Sequence, residues 1–343
     1  MEKYLVTGAS GYIASWIVKY LLERGDEVHG TVRKISDTGK TGHLHATGKE
    51  YPGKLQLFEA DLTNRESFRK AMEGCTKIVH TASPFFITNI RNPRKDLIEP
   101  ALEGTRNVLS LASRFPSVRR IVVTSSVAAI HGDAADVLSV PGRTFTEEHW
   151  NTSSSEHYNP YQYSKTIAER EAWKMAGNQG QWTLATINPG FVMGPSLSRR
   201  VDSTSIDTMR ALLNGKYKNG VPNLWFGIVD VRDVAMAHIL AADNALATGR
   251  HLCVARVLPL PEMASILMEK FPERPIPKST VPDFLLYLAG PFMGFSWKFL
   301  KKNLGIPFNT DNTKSRENLG LQYHPIHETL HDHAEQLIRD GLV

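Results

Sequence analysis

The stretch NPYQYSKT, residues 159–166, places two tyrosines beside a lysine, ahead of an alanine-rich segment that is typical of a helix. Residues four apart share one face of a helix, so Tyr161 lies over Lys165 whereas Tyr163 points elsewhere. A free phenol has a pKa near ~10, and a nearby ammonium lowers it by favouring the phenolate. The spacing therefore predicts that Tyr161 is a proton donor tuned by Lys165.

A second polar group is needed to orient and polarise a reacting carbonyl. The predicted strand RIVVTS, Arg120 to Ser125, ends in a pair of serines, Ser125 and Ser126. Ligands of open α/β sheets bind at the carboxyl edge of the strands, so either serine is a candidate. The alternative is that both hydroxyls only cap the strand end.

Short β-branched runs alternate with helical patterns through the first half of the chain. Several runs are apolar at consecutive positions, as in parallel strands covered on both faces. We therefore predict an α/β fold, a Rossmann-type doubly wound parallel sheet with a smaller, discontinuous C-terminal substrate domain. The first domain spans residues 1–188, with a return to its sheet at about 223–252. The second comprises 189–222 and 253–343. The predicted strands are Lys3 to Thr7, Glu27 to Val32, Lys54 to Glu59, Lys77 to Ala82, Arg120 to Ser125 and Thr183 to Asn188.

A glycine-rich turn follows the first predicted strand. TGASGYIASW places small residues at Gly8, Gly11 and Ala14, between that strand and an amphipathic helix. Glycines let the backbone turn tightly and approach a pyrophosphate held at a helix N-terminus. The strand before the turn and the helix after it make this pattern specific for a dinucleotide.

The end of the second predicted strand indicates which dinucleotide. NAD-binding folds usually carry an acidic residue there, but this sequence reads GTVRK, with Arg33 and Lys34. An arginine can bind a 2′-phosphate through a charge-assisted pair, so NADP(H) is favoured. The alternative is a solvated loop charge. Asp61, after the third strand, could accept from the adenine amino group or belong to a helix cap.

Composition narrows the remaining classes. The 343 residues carry 40 basic and 35 acidic side chains, interspersed and without a long basic run. This balance suits an anionic small molecule as well as nucleic acid, and we expect no nucleic-acid partner. The two cysteines, Cys75 and Cys253, stand far apart, which fits a reducing compartment. The N-terminus shows no basic leader with an apolar run, so a cytoplasmic protein is expected. The apolar segment Phe284 to Phe295 is too short to span a membrane, and we expect no membrane partner.

One motif points to different chemistry. HETLH, His327 to His331, matches the zinc-binding pattern HExxH. The segment lies in a polar helix with a narrow apolar stripe, and no third ligand is evident in the sequence, so we interpret it as a chance match and expect no metal site. The HLH sequence at His43 to His45 is interpreted as loop surface.

Taken together, these segments resemble the extended short-chain dehydrogenase/reductases. The set comprises TGASGYIASW, TVRK, EADLT, VHTASP, LIEPALEGTRNVL, VRRIVVTSS, YQYSKTIAEREAWK and INPGFVMGP. The branch that it resembles contains dihydroflavonol reductase, cinnamoyl-CoA reductase and microbial NADPH carbonyl reductases. The resemblance runs from Lys3 to about Ala255.

The resemblance implies roles for particular residues. The catalytic residues fall on Ser126, Tyr161 and Lys165. Besides Tyr161 and Lys165, contacts with the cofactor fall on Thr7, Gly8, Gly11, Tyr12, Ile13, Arg33, Lys34, Lys40, Asp61, Leu62, Thr81, Ala82, Ser83 and Pro189. Besides Tyr161, the substrate pocket falls on Ser83, Pro84, Phe85, Phe86 and His131. His131 stands where the plant flavonoid enzymes carry an asparagine, and the aromatic segment Phe284 to Trp297 aligns with nothing in them, so a flavonoid substrate is not expected.

The expected activity is NADPH-dependent reduction of an aldehyde or ketone to the alcohol, run reversibly. The partners are then a small-molecule carbonyl substrate and NADP(H), in a monomer or homodimer. A sugar-nucleotide epimerase or dehydratase that retains NAD is one alternative, which Arg33 disfavours. A non-catalytic NADP-sensing regulator is another, although such proteins tend to lose the tyrosine that is intact here.

Overall fold

The fold is an alternation of strands and helices that builds one large parallel sheet. The structure, a computed structural model, describes residues 2–83, 92–199, 201 and 203–343, apart from the side chains of residues 291 and 293. The strands are β1 (Lys3–Thr7), β2 (Glu27–Val32), β3 (Leu55–Glu59), β4 (Lys77–His80), β5 (Arg120–Thr124), β6 (Thr144–Phe145), β7 (Thr183–Pro189), β8 (Phe191–Met193), β9 (Trp225–Asp230), β10 (Gly249–Cys253), β11 (Arg256–Pro259) and β12 (Asn309–Thr310).

Most of the α-helices connect these strands, and several follow one another in the last third of the sequence. They are α1 (Tyr12–Glu23), α2 (Thr38–Glu50), α3 (Arg69–Met72), α4 (Glu99–Ala112), α5 (Pro160–Gly177), α6 (Thr204–Leu213), α7 (Val231–Asp243), α8 (Leu260–Lys270), α9 (Asp283–Ala289), α10 (Trp297–Asn303), α11 (Thr313–Leu319) and α12 (Ile326–Arg339). Short 3-10 helices lie at Arg65–Phe68, Val127–Ala129, Ala134–Ser139, Pro141–Arg143 and Gly290–Met293, and a π-helical turn lies at Arg94–Ile98. None of the helices in the described ranges is long and apolar enough to cross a bilayer.

The main sheet has seven parallel strands in the order β10-β7-β5-β4-β1-β2-β3. Strand order reverses between β1 and β4, which creates the crevice at the carboxyl edge where ligands of this architecture bind. The doubly wound α/β prediction is therefore confirmed. The predicted strands all form, with four differences at their ends. β3 begins at Leu55 rather than Lys54, β4 ends at His80 rather than Ala82, β5 ends at Thr124 rather than Ser125, and β7 ends at Pro189 rather than Asn188.

Both faces of the main sheet are covered, because successive strand residues point to opposite sides. Val6 packs on one face with Ile17 of α1 and Val234 of α7. Leu5 packs on the other face with Leu109 of α4 and its neighbours. Each face of the sheet buries a separate apolar core, which fixes the strands relative to the helices. Because the strands are parallel, their carboxyl ends form one edge of the sheet.

The second half of the chain divides between this sheet and a smaller layer. β9 joins β8 and β11 in a three-stranded sheet, whereas α7 and β10 return to the main sheet. The smaller sheet packs with α6, α8 and α12 around a core that includes Met209, Ile228, Met263 and Leu330. The return to the main sheet expected at 223–252 thus begins after β9, because β9 lies beside β8 instead.

Candidate active site

The helix that carries Tyr161 and Lys165 begins abruptly beside the carboxyl edge of the main sheet. Asn159 adopts a left-handed conformation with φ of 54°, and Pro160 is the first residue of α5. The Asn159 amide donates to the carbonyl of Gly132 and to Asp133 Oδ1, each at 3.1 Å. Proline suits the first helical turn because its missing N–H has no partner to lose there. The start of α5, which carries Tyr161 and Lys165, is therefore fixed by the Asp133 loop.

Asp133 also accepts hydrogen bonds from the residue before Asn159 and from the C-terminal part of the chain. Its buried carboxylate accepts from Tyr158 Oη at 2.8 Å, from Asn303 Nδ2 at 2.8 Å and from Lys302 Nζ at 3.2 Å. Asn303 and Lys302 belong to α10, next to the aromatic segment Phe284 to Trp297. Asp133 thus joins α10 to the loop that precedes α5.

The two serines that residue type and position left open, and of which the resemblance selects Ser126, have different partners. Ser126 forms a side-chain hydrogen bond with Tyr161 and caps the following 3-10 helix, its Oγ accepting from Ala128 N at 3.1 Å. Ser125 instead donates to the buried carboxylate of Glu169. The structure therefore places Ser126 beside the phenol, and Ser125 on the opposite side of the backbone.

The Tyr161 phenol is less acidic than the spacing alone predicted. Burial raises the pKa of Tyr161 above its ordinary value, and the hydrogen bond with Ser126 lowers it in part. Burial dominates this pKa and raises it, contrary to the lowering expected from Lys165, because removing the phenol from water disfavours the phenolate. Tyr161 is consequently protonated at neutral pH, which is the state a proton donor requires.

Lys165 lies in the interior, one helical turn beyond Tyr161. Burial lowers the pKa of the Lys165 ammonium to about 8, and the charge of Glu169 opposes that shift. The side chain lines a cavity of about 20 Å³ with His80, Thr124, Ser125 and Glu169. Burial also lowers the pKa of His80 to about 3, so this imidazole is neutral.

The glycine turn after β1 has the geometry of a phosphate cradle. Gly8 has φ of +66°, and a Cβ there would lie 3.1 Å from Ala82 Cα. Gly11 is the N-cap of α1 and contributes no capping side chain. Thr7 Oγ1 contacts His80 Nδ1 at 2.8 Å and accepts from Ala82 N at 3.1 Å, and Thr81 Oγ1 donates to the carbonyl of Thr7. Hydrogen bonds therefore hold the glycine turn against the end of β4, next to the N-terminus of α1, which has no side-chain cap.

The residues that could distinguish NADP from NAD follow β2. Arg33 and Lys34 are exposed immediately after Val32. Hydrogen bonds from Thr63 lower the pKa of Asp61, and the charge of Arg33 lowers it further. Asp61 Oδ1 accepts from Thr63 N at 2.8 Å and from Thr63 Oγ1 at 2.6 Å, so this carboxylate closes a local turn. Two cations thus stand at the place where an NAD-binding fold needs a carboxylate.

The other expected cofactor contacts lie around the same edge. Tyr12 and Ile13 open α1, with the Tyr12 hydroxyl donating to the carbonyl of Gly194. Lys40 lies in α2, where it pairs with Asp37 at 3.6 Å and is largely exposed. The carbonyl of Leu62 accepts from Asn107 Nδ2 at 2.7 Å. Ala82 and Ser83 line the cavity beside Lys165, and Pro189 ends β7.

The expected substrate pocket is described in part. Pro84, Phe85 and Phe86 lie outside the described residues. His131 stacks on Phe145 with ring centroids 4.4 Å apart and contacts Phe308 at 5.2 Å. Burial lowers the pKa of His131 to about 4, so the ring is neutral and packs as an aromatic side chain.

The HExxH pattern lies on α12, as its amphipathic sequence predicts. His331 Nε2 is 3.1 Å from the carbonyl of Ile266, and His327 is mostly exposed. Among the residues that the structure describes, no group of three or more His, Cys, Asp or Glu side chains could hold a metal ion.

The sequence matches a known protein family over most of its length. The family model described as "NAD dependent epimerase/dehydratase family" matches residues 4–255. The chain belongs to this family. Its members are the extended short-chain dehydrogenase/reductases, so the resemblance seen in the sequence is confirmed.

Several proteins that are similar to this chain in sequence or structure are named as reductases or were solved with NADPH. Cinnamoyl-CoA reductase CAD2 of Medicago truncatula is 38% identical over 338 residues, covering 97% of this chain and 94% of the relative. The structure of Gre2 from Candida albicans in complex with NADPH has a TM-score of 0.80 at 30% identity, covering 99% of each chain. The yeast methylglyoxal/isovaleraldehyde reductase Gre2, also complexed with NADPH, has a TM-score of 0.80 at 27% identity, covering 99% of this chain and all of that chain.

Sequence reasoning missed three residues that support this site in the family fold. Glu169 was within reach, because it follows Lys165 by four positions and so shares its helix face. Arg250 and Asp133 gave no local signal, since their partners lie far away in the chain. Only the folded topology brings them to the carboxyl edge of the sheet.

Proposed function

We propose that the protein catalyses the reversible, NADPH-dependent reduction of an aldehyde or ketone to the alcohol. The observation that carries this proposal is the hydrogen bond between Ser126 and Tyr161 at the carboxyl end of β5, with Lys165 one turn behind. Two adjacent hydroxyl groups can both hydrogen-bond the carbonyl oxygen of a substrate, and one of them can donate a proton to it. Cinnamoyl-CoA reductase among its relatives supports a reductase activity, and the methylglyoxal/isovaleraldehyde reductase among the similar structures supports a carbonyl substrate.

The chain's own residues fit the cofactor. Gly8 leaves space that a Cβ would fill, the N-terminus of α1 offers backbone N–H groups, and Arg33 and Lys34 supply positive charge after β2. Bound NADPH supplies the hydride. Arg33 and Lys34 would hold the 2′-phosphate, while Lys165 would hold the nicotinamide ribose and add positive charge beside Tyr161. These cations favour NADP(H) over NAD, which also separates this proposal from an epimerase that retains NAD.

In the reduction, Ser126 hydrogen-bonds the carbonyl oxygen of the substrate and orients it toward Tyr161. As negative charge develops on that oxygen, Tyr161 donates its proton, and the alcohol is formed. The neutral phenol is the state present at neutral pH, because burial raises the pKa of Tyr161. In the oxidation of an alcohol, the same two groups act in reverse.

We also propose that residues 189–222 and 253–343 form most of the substrate-binding part. The three-stranded sheet with α6, α8 and α12 supports this division, as does the contact of α10 with the Asp133 loop. The aromatic segment Phe284 to Trp297 lies next to α10, which favours an apolar, partly aromatic carbonyl as substrate.

The test is a screen of NADPH consumption, followed by its absorbance, against aldehydes, ketoesters and aryl ketones, and repeated with NADH. We expect net oxidation of NADPH with at least one simple carbonyl and a clear preference over NADH. Redox-neutral conversion of a nucleotide sugar, with NAD retained through purification, would identify an epimerase instead. NADPH binding without any turnover across the panel would point to a sensor.

A further inference from the structure

A buried carboxylate stands one helical turn behind the catalytic lysine. Glu169 follows Lys165 by four residues on α5, and it is 1% exposed. An ionised carboxylate in an apolar interior is costly unless donors surround it. The arrangement around Glu169 therefore indicates what this side chain does.

Donors to Glu169 come from two strands of the main sheet, from the residue that follows a third strand, and from α5 itself. Ser125, after β5, donates through its hydroxyl, and Trp173 of α5 donates at 3.2 Å. Thr186 and Asn188 of β7 donate at 3.0 Å and 2.7 Å. Arg250 of β10 donates from Nε at 2.7 Å. One side chain thus ties the catalytic helix to the strands at the edge where the site lies.

Arg250 is itself fixed by an aromatic ring and by backbone carbonyls. Its guanidinium carbon lies 3.9 Å from the centroid of the Trp150 ring. It donates to the carbonyls of Glu147 at 2.7 Å, His149 at 2.5 Å and Ala129 at 3.2 Å. The planar fork of arginine can serve several acceptors at once, which a lysine cannot do. Arg250 therefore fixes the position of Glu169 and of the backbone that follows Ser126.

A short relay of contacts joins Glu169 to the catalytic serine. Asn188 Nδ2 is shared between Glu169 Oε2 at 2.7 Å and the carbonyl of Ser126 at 3.2 Å. Ser125, the residue before Ser126, bonds to the same carboxylate. A displacement of Glu169 would therefore move the backbone that presents the Ser126 hydroxyl to Tyr161.

The space between Lys165 and Glu169 admits very little water. The cavity that both line is about 20 Å³, which is room for about one water molecule. Charges separated by so little solvent act on each other strongly. Glu169 opposes the lowering of the Lys165 pKa that burial causes.

Other charged groups around Lys165 are weaker or more distant. His80 of β4 is neutral near pH 7, because burial lowers its pKa to about 3. Arg250 reaches this region only through Glu169. The turn Arg94–Ile98 also packs on α5, but Arg94 and Lys95 are exposed to solvent and Asp96 is half-buried. Thr105 of α4 and the Val127–Ala129 helix contribute no charge.

We propose that Glu169, held by Arg250, is a positioning residue for the reaction: its charge keeps the Lys165 ammonium in place, and its hydrogen bonds fix the backbone of Ser126. This inference rests on the proposed carbonyl reduction for its catalytic consequence. Its electrostatic part concerns Lys165 alone and can be measured without turnover.

The electrostatic test is Glu169→Gln, which keeps the shape of the side chain and removes its charge. The ¹³Cε chemical shift of Lys165, assigned by its absence from the spectrum of Lys165→Arg and followed by NMR as a function of pH, gives the pKa of this lysine with no substrate present. We expect the pKa to fall below its wild-type value, and the alkaline limb of the kcat/KM profile to move to lower pH with it. The matched control is Asp230→Asn, another fully buried carboxylate paired with an arginine, Arg232. It should lower the melting temperature and leave the Lys165 profile unchanged.

The mechanical test is Asn188→Ala, which leaves the charge of Glu169 in place and removes the bridge to Ser126. We expect kcat per folded molecule to fall by about tenfold to a hundredfold, since small displacements of reacting groups are costly, while the alkaline limb stays where it was. Folded E169Q with an unchanged Lys165 profile, or folded N188A with full kcat, would overturn the proposal. If no carbonyl is reduced by the wild type, the proposed function fails, but the Lys165 measurement still decides the electrostatic part.

Discussion

The hydroxyl groups of Ser126 and Tyr161 are hydrogen-bonded to each other, whereas the neighbouring hydroxyl of Ser125 is bonded to Glu169. Successive residues at the end of β5 thus serve opposite sides of the backbone. One serine faces the phenol and the other faces the buried support behind it. This division follows from the alternation of side chains along an extended chain.

Replacing Tyr161 with phenylalanine should remove the proton donor while keeping the ring that packs in the site. We expect kcat to fall by about 10²- to 10⁴-fold, the usual contribution of a general acid. NADPH affinity, measured by quenching of protein fluorescence, should change little. Tyr163→Phe on the same helix is the control and should retain turnover. Full activity in Y161F would rule out the assignment.

The pH dependence of carbonyl reduction should follow Lys165. The lysine is protonated below its pKa of about 8, so kcat/KM should be steady there and should decline as the pH rises through that value. In Lys165→Arg the side chain stays charged throughout, so whatever activity remains should lack this decline. A wild-type profile that declines only near the ordinary pKa of lysine would contradict the buried position of Lys165.

Arg33 should decide between NADPH and NADH. Arg33→Gln removes a charge-assisted contact worth about 1.5–3 kcal/mol, which is roughly a ten- to hundredfold weaker Kd for NADPH. Binding of NADH should be unaffected because it lacks the 2′-phosphate. The exposed Arg339 at the end of α12 offers a control, Arg339→Gln, with no expected effect on either cofactor. Equal weakening of both cofactors in R33Q would show that Arg33 contacts something other than the phosphate.

Gly8→Ala should weaken both folding and cofactor binding. Its φ of +66° is strained for alanine, and the new Cβ would press on Ala82 at 3.1 Å. A strained left-handed residue costs about 1–3 kcal/mol, measurable as a lower free energy of unfolding. Gly42→Ala in α2 is the matched control, because a methyl group at that position would have no neighbour within 4 Å outside its own helix. That change should be neutral or mildly stabilising, since alanine favours a helix.

Chelators should leave the activity unchanged. His331 is bonded to a backbone carbonyl and His327 is exposed, which does not suit a zinc site built on HExxH. We expect full NADPH oxidation after dialysis against EDTA, and His327→Ala should match the wild type. Loss of activity that zinc restores would revive the metal interpretation.

The sequence predicted the parts of this protein that depend on near neighbours in the chain. The β-branched runs, the glycine turn at Gly8 and the pairing of Tyr161 with Lys165 all follow from local spacing, and the fold that they indicated is confirmed. Local spacing alone did not separate Ser126 from Ser125, a choice that only the resemblance made, because both directly follow β5 and tertiary contacts distinguish them. The pKa of Tyr161 was set by burial, which spacing does not report.

The support around Glu169 shows where local reasoning ends. Glu169 could have been noticed from its helix position, but Arg250 reaches it from a strand much later in the sequence. Likewise, β9 has a strand-like sequence that cannot reveal which sheet it joins. Such pairings depend on topology, which a single sequence specifies only through the folded whole.

The pairing of β10 with β7 also has a consequence for biosynthesis. Tyr161, Lys165 and Ser126 leave the ribosome well before Arg250, so for a time Glu169 has no arginine to bind. Because β10 is an edge strand added late, the nascent chain contains Ser126, Tyr161 and Lys165 before Arg250 can fix their positions. A fragment that stops ahead of Gly249 should therefore be inert, and a separately supplied C-terminal piece that restores β10 should make it active.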